Sequence, residues 1–156
     1  MNVVQSVFGS LILLGLFGCV NASGDDSFPV RSLAKGGFSG IKEVKQEVIT
    51  DKKAWEQFWS KHSRLTRPAA LPPEVDFAKE MVIAVTLGIK RTGGYAVEIT
   101  RVQATGKILK IMVKQSSPPP GAMTIQALTA PFHFIAVHKS GLKPEFVVEA
   151  KSALKE

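Results

Sequence analysis

The side chains best suited to chemistry are a single cysteine and three histidines, and their positions argue against a shared active site. A serine or cysteine nucleophile needs a base within hydrogen-bonding reach. Cys19 is instead followed by a stretch of small and polar residues near the N-terminus, which suits a tether rather than an active site. His133 and His138 are five residues apart on one predicted strand, so their side chains point to opposite faces. His62 ends an apolar helical face, which indicates a core histidine rather than a ligand.

Glu74, Asp76 and Glu80 form the densest acidic cluster. Paired carboxylates can perform acid–base chemistry or hold Ca²⁺. This spacing lacks the glycine and the regular acidic positions of a calcium loop, so Asp76 is expected to cap a turn. The sequence therefore predicts a protein that is not an enzyme, with no catalytic residues, metal or cofactor. The alternative is a metal-dependent enzyme that uses this cluster and the histidines.

The N-terminus predicts an exported, lipid-anchored protein. The apolar run Val7–Phe17 is too short to cross a bilayer, which takes about 20 residues, and it is typical of a secretory signal. Leu16-Phe17-Gly18-Cys19 resembles a bacterial lipobox, in which the cysteine is acylated. We expect a signal peptide over 1–18, lipid attachment at Cys19 and a flexible tether over 19–36. An ordinary cleaved signal beside a chance cysteine is the alternative.

The composition is consistent with one exported domain. The chain has 156 residues, 45% of them hydrophobic, which suits a single core. One cysteine allows no intrachain disulfide. The net charge of +7 favours acidic proteins or anionic lipid as partners, and export argues against nucleic acid. The expected location is the cell envelope, at a bacterial outer membrane or cell surface. A merely solvated basic surface is the alternative.

The hydrophobic pattern predicts one helix and several short strands. Trp55, Phe58, Trp59 and His62 share one helical face, and Thr50 or Asp51 precedes them as a cap. The apolar run 81–87 predicts a central strand buried on both faces. Further strands are expected at 41–49, 95–101, 109–113, 132–139 and 145–150, with a short one at 123–128. The fold class is therefore α+β: an antiparallel β-sheet or partial barrel with one amphipathic helix packed on it, over residues 37–151.

Two loops are candidates for binding a partner protein. One has paired glycines, which adopt conformations closed to other residues. The other has three prolines, which are pre-extended and lose little entropy on docking. Each loop also has a structural interpretation. The glycines allow a tight hairpin or a close approach of two strands, and the prolines form a stiff connector. The candidate residues are Lys90, Arg91, Thr92, Gly93, Gly94, Tyr95, Pro118, Pro119, Pro120 and Gly121.

An ordered set of short motifs carries a resemblance to a known family. The set comprises Trp55-x-x-Phe58-Trp59, Val75-Asp76-Phe77, Met81-Val82-Ile83-Ala84-Val85, Thr92-Gly93-Gly94-Tyr95, Pro120-Gly121 and Leu128-Thr129-Ala130-Pro131-Phe132. In this order the motifs resemble the PrcB C-terminal domain family, over about residues 40–140. The resemblance implies an exported, often lipidated, non-catalytic domain that assists or stabilises a protease. It supplies no catalytic residues.

These observations predict a lipid-anchored envelope protein that acts as a protein-binding accessory module, with a protease as the expected partner and the membrane contacted through its lipid. One alternative is a peptidase inhibitor that presents the proline loop to an active-site cleft. Another is a structural envelope lipoprotein that contacts anionic lipid or glycan through its basic surface.

Overall fold

The computed structural model of the chain describes residues 27–66 and 68–149. The described elements are one helix and seven strands: β1 Arg31–Gly36, β2 Val44–Ile49, α1 Lys52–Ser63, β3 Glu80–Leu87, β4 Ala96–Thr105, β5 Ile108–Ser116, β6 Phe132–His138 and β7 Lys143–Glu149. The predicted signal peptide, Cys19 and the last two residues of the predicted domain lie outside the described residues.

The strands form two sheets that do not close into a barrel. The four-stranded sheet has the order β1-β6-β3-β2 and is antiparallel throughout. The three-stranded sheet has the order β4-β5-β7, in which β4 and β5 form an antiparallel hairpin and β7 runs parallel to β5. Ser27 bridges to Gln103 of β4, and the Phe28 N–H donates to the Val102 carbonyl at 2.8 Å. The segment before β1 therefore links the two sheets.

The four-stranded sheet is the middle of three layers. Along β3, Met81, Ile83 and Val85 pack against the three-stranded sheet, while Val82 and Ala84 face α1. Successive side chains of a strand point to opposite faces, so a strand buried on both sides reads as a continuous apolar run. The predicted central strand at 81–87 is thus confirmed.

Helix α1 covers the outer face of the middle sheet. Asp51 is its N-cap, and the Asp51 side chain accepts a hydrogen bond from the Ala54 N–H at 2.8 Å. Trp55 and Trp59 are buried, which confirms them as core residues. Their indole N–H groups donate to the carbonyls of Pro73 and Ala70, respectively. The two tryptophans therefore hold the proline-rich segment that follows the helix.

The structure corrects several sequence predictions. The single antiparallel sheet or partial barrel is wrong in detail, because there are two sheets and β7 is parallel to β5. The last six residues of the predicted tether 19–36 form strand β1. The glycine and serine residues of this stretch favoured the prediction of a linker. Residues 123–128 form no strand. The described residues contain no helix with the length and apolar character of a membrane span.

Candidate functional site

The two loops predicted to bind a partner pack against each other. The Lys90 N–H donates to the Thr129 carbonyl at 2.8 Å, and the Thr129 N–H donates back at 2.9 Å. The Thr129 hydroxyl donates to the Thr92 carbonyl at 2.9 Å, and the Gly93 N–H donates to the Ile125 carbonyl at 3.0 Å. The predicted residues of both loops therefore belong to one structural unit.

Gly93 and Gly94 allow this close packing. A Cβ on Gly93 would lie 2.6 Å from Cγ1 of Ile125, and a Cβ on Gly94 would lie 2.9 Å from Cβ of Pro118. Gly94 also has a φ of +83°, which favours glycine. Since the Gly93 N–H and the Thr92 carbonyl already have partners within the chain, these groups serve the fold. Of the two interpretations of the glycine pair, the structure shows the close approach of two segments.

The proline run ends in a β-turn. The Ala122 N–H donates to the Pro119 carbonyl at 3.1 Å, and Gly121 has a φ of +78°. Proline at the second position and a positive φ at the third are the geometry of a type II turn. Pro119, Pro120 and Gly121 are exposed at this turn, whereas Pro118 is half-buried. The proline run thus ends in an exposed turn rather than continuing as the extended segment that its sequence predicts.

A third segment, residues 37–42, is hydrogen-bonded to the two loops. The Ala130 N–H donates to the Gly37 carbonyl at 2.7 Å, and the Ile89 N–H donates to the Lys42 carbonyl at 3.1 Å. Phe38 follows directly after Gly37, and its side chain is 65% exposed. Backbone hydrogen bonds therefore connect all three segments at one end of the domain.

Five large apolar side chains are exposed on these segments. They are Phe38, Ile89, Met123, Ile125 and Leu128, of which Met123 is fully exposed. We call this region, formed by Phe38 and by residues 89–95 and 117–128, the loop surface. Sequence reasoning selected its glycines and prolines but missed the apolar residues, because the alternation over 123–128 predicted a strand.

The charges of the loop surface are all positive. Residues 88–95 carry Lys90 and Arg91, and residues 117–131 carry no charged side chain. The Lys90 ammonium lies 5.5 Å from the ring centroid of Tyr95, a distance typical of a cation–π contact. The nearest carboxylate along the chain, Glu98, is paired with Lys35 at 2.9 Å.

The loop surface lies at the opposite end of the β4–β5 hairpin from the N-terminal segment. Ser27 pairs with Gln103 near the hairpin turn, whereas Ala96 and Ser116 close the other end, beside the loops. Ala96 and Gln103 are seven positions apart, which corresponds to about 23 Å of strand. The chain therefore enters the described domain far from the exposed apolar side chains.

His133 joins the two sheets rather than activating a nucleophile. The Ile99 N–H of β4 donates to Nδ1 of His133 at 2.9 Å. A neutral imidazole that accepts at Nδ1 carries its proton on Nε2, so Nε2 donates to the Ser32 hydroxyl at 3.1 Å. This tautomer cannot take a proton from Ser32. His138, at the end of the same strand, is exposed. It is in phase with Phe132 and Phe134, which pack towards α1, whereas His133 is on the side of the three-stranded sheet, so the two histidines face opposite sides.

His62 is a buried core residue, as its position on the helix predicted. It is 9% exposed, and its Nδ1 lies 3.0 Å from the Ser39 hydroxyl. Desolvation by burial lowers the pKa of His62 to about 4. Ser39 is also buried and accepts a hydrogen bond from the Ile41 N–H. This serine–histidine pair is enclosed by the core.

The acidic cluster has structural roles. Glu80 pairs with Arg31 at 2.6 Å, and this hydrogen bond lowers the pKa of the Glu80 carboxyl. Asp76 accepts a hydrogen bond from the Ala78 N–H at 3.1 Å, the turn role that the sequence predicted. Glu74, Asp76 and Glu80 line one open cleft of about 660 Å³. Across the described ranges, no group of three or more His, Cys, Asp or Glu side chains could hold a metal ion.

Comparison with known proteins identifies the central part of the chain. Residues 81–138 match the family model described as PrcB C-terminal. No curated protein and no solved structure gives a significant match. The segment from β3 to β6, which includes both loops, therefore matches the PrcB C-terminal family, which supports the family resemblance that the sequence showed. The tryptophan motif of α1 lies before the matched residues.

Proposed function

We propose that this protein is a non-catalytic, lipid-anchored accessory module of the cell envelope whose loop surface binds a partner protein. The observation that carries the proposal is the exposure of five large apolar side chains on segments fixed by backbone hydrogen bonds. Contiguous exposed apolar regions of soluble domains commonly mark interaction sites.

The energetics favour association. Burying a large apolar side chain contributes about 1.5–3 kcal/mol, and Met123, Leu128 and Phe38 are each at least 65% exposed. Their supporting segments are already ordered by hydrogen bonds such as Lys90–Thr129 and Gly37–Ala130. Binding therefore costs little backbone entropy, which is the usual advantage of a pre-organised surface.

A protease or protease complex is the partner that the family favours. The family is named for a subunit of such a complex, and the matched residues 81–138 include both loops of the loop surface. The role proposed for this chain is to bind and stabilise that partner.

The position of the tether supports the same arrangement. Acylation at Cys19 would place the membrane eight residues before Ser27, within about 28 Å of extended chain. Because Ser27 and the loop surface are at opposite ends of the β4–β5 hairpin, the loop surface would point away from the membrane. It would then be accessible to a partner at the outer membrane or cell surface.

Substitution of exposed apolar residues tests the proposal. The full chain is purified in mild detergent from the cells that produce it, and co-purifying proteins are quantified by mass spectrometry. Met123→Asp and Leu128→Asp should each reduce the recovery of one specific protein, since a carboxylate would be buried at the interface. Leu71→Asp is the matched control, because Leu71 is 87% exposed outside the loop surface. Equal recovery with all three variants would contradict the proposal.

An activity assay then separates an accessory role from inhibition. If the recovered protein is a peptidase, the accessory hypothesis expects its activity or half-life to be maintained or raised by this chain. Inhibition would instead slow the peptidase at equimolar concentration. A chain that recovers no protein but associates with the envelope in a salt-dependent manner would favour the structural alternative.

A further inference from the structure

We propose that the loop surface recognises an acidic site on its partner: an apolar patch bordered by aspartate or glutamate side chains. This inference rests on the proposed function and specifies the chemistry of the partner. It follows from the charges around the exposed apolar side chains.

The two loops contain 23 residues, 88–95 and 117–131, with two cations and no carboxylate. Arg91 is exposed, and Lys90 lies over the Tyr95 ring beside the apolar side chains. Neither cation forms an ion pair with a described carboxylate. A carboxylate on the partner would therefore meet two cations without having to displace an internal carboxylate.

Charge complementarity also argues against a second copy of this chain as the occupant. In a two-fold symmetric contact the same surface meets itself. Two loop surfaces would bring Lys90 and Arg91 of one copy against the same pair of the other, with no acid in either loop to neutralise them. Like charges placed against each other oppose association.

The fold favours an acidic protein over anionic lipid. Apolar side chains bordered by cations also occur on proteins that insert into lipid headgroups. Here the chain enters the described domain at Ser27, about 23 Å of strand from Ala96. With the short tether proposed above, the loop surface would lie at the end of the domain farther from the lipid, which favours a protein over the chain's own membrane as the anionic partner.

Charge reversal tests the inference. The probe is the protein that co-purifies with the native full chain, and its dissociation constant is measured by surface plasmon resonance. The double variant Lys90→Glu/Arg91→Glu should weaken binding at least about tenfold, since electrostatic steering changes association rates by factors of about 10 to 1,000. Raising NaCl from 50 to 300 mM should also weaken native binding, because the Debye length falls from about 14 Å to about 6 Å.

Two variants make the result specific. Lys107→Glu/Lys143→Glu introduces the same charge change at exposed, neighbouring lysines on the other end of the hairpin, and should alter affinity less than twofold. Arg91→Glu alone changes an exposed side chain and leaves Lys90 in place, so it should preserve the Lys90–Tyr95 cation–π contact and the fold. It should produce several-fold weaker binding, with an unchanged melting temperature.

Three outcomes would overturn the inference. Equal loss from both double variants would indicate a response to net charge alone. Native affinity in Lys90→Glu/Arg91→Glu, together with loss in Leu128→Asp, would leave the proposed function intact but show that the partner site is not acidic. Binding of the native chain to phosphatidylglycerol vesicles that requires Lys90 and Arg91, without any protein partner, would identify lipid as the occupant.

Discussion

A decrease in pH should destabilise the domain through His62. The ring of His62 is surrounded by Trp59, Phe132 and Phe134, with ring centroids 4.9, 4.4 and 4.8 Å away. This apolar environment disfavours the imidazolium form and lowers the pKa of His62 from 6.5 to about 4. The unfolded chain, in which the ring is hydrated, therefore binds a proton at a higher pH than the folded domain.

The two pKa values set the size and sign of the effect. A lowered folded-state pKa means that the full contribution to stability is present above pH 6.5 and is lost as the pH falls towards 4. Between pH 7 and pH 5 the loss is about 2 kcal/mol. Burial also lowers the pKa of His133, which adds a loss of the same sign. Glu80 and Glu98 have lowered pKa values as well, so their contributions are lost only at more acidic pH.

Urea unfolding at pH 7, 6 and 5 measures this dependence. Trp55 and Trp59 are buried, and Trp59 packs against His62, so their fluorescence reports the transition. The matched variant is His62→Phe, which retains an aromatic ring but cannot titrate. The variant should lose about 2 kcal/mol less than the native protein between pH 7 and pH 5. The same pH dependence in both proteins would refute the assignment to His62.

Three further predictions concern other positions. His133→Ala should lower the free energy of unfolding by about 3 kcal/mol, because it leaves a buried backbone N–H of β4 without its acceptor and opens a cavity between the sheets. His138→Ala, at the exposed end of the same strand, should change it by less than about 0.5 kcal/mol; equal shifts in thermal denaturation would contradict the bridging role. Gly94→Ala should destabilise the domain more than Gly106→Ala, since both glycines have positive φ but only Gly94 has atoms where a Cβ would lie; equal melting temperatures would show that the loop contact is unimportant. Cys19→Ser should move the protein from the membrane to the soluble fraction on cell fractionation, and a variant that stays in the membrane would contradict acylation at this residue.

The sequence predicts elements that bury regular apolar patterns. The face formed by Trp55, Phe58 and Trp59 and the cap at Asp51 predict α1, and the apolar run at 81–87 predicts β3. Val102 breaks the apolar alternation of Val97 and Ile99, and the register of β4 against β5 shifts between Ile99 and Arg101. In these cases the residue pattern within one element is sufficient to predict its structure.

Features that depend on distant residues could not be predicted in this way. The parallel pairing of β7 with β5 depends on where the chain returns after β6, which no local pattern records. Strand β1 has only two half-buried side chains, Leu33 and Ala34, so its burial pattern is weak. The partition into two sheets follows from these pairings.

The candidate site shows the same limit. The glycine pair and the proline run indicated which loops to consider. Their association depends on the contacts of Gly93 with Ile125 and of Gly94 with Pro118, between segments more than 20 residues apart. The exposure of Met123 and Leu128 could not be predicted from the sequence either. An alternating apolar segment predicts a half-buried strand until its surroundings are known.

Site-specific photo-crosslinking tests the central claim most directly. A photoreactive phenylalanine analogue is placed at Met123, at Leu128 and, as a control, at Leu71 in the full chain, in the cells that produce it. All three side chains are at least 67% exposed, so the analogue should not disturb the fold. The account predicts that positions 123 and 128 crosslink to the same protein and that position 71 does not. Crosslinks to that protein from position 71 alone, or from all three positions equally, would contradict the claim that the loop surface binds the partner.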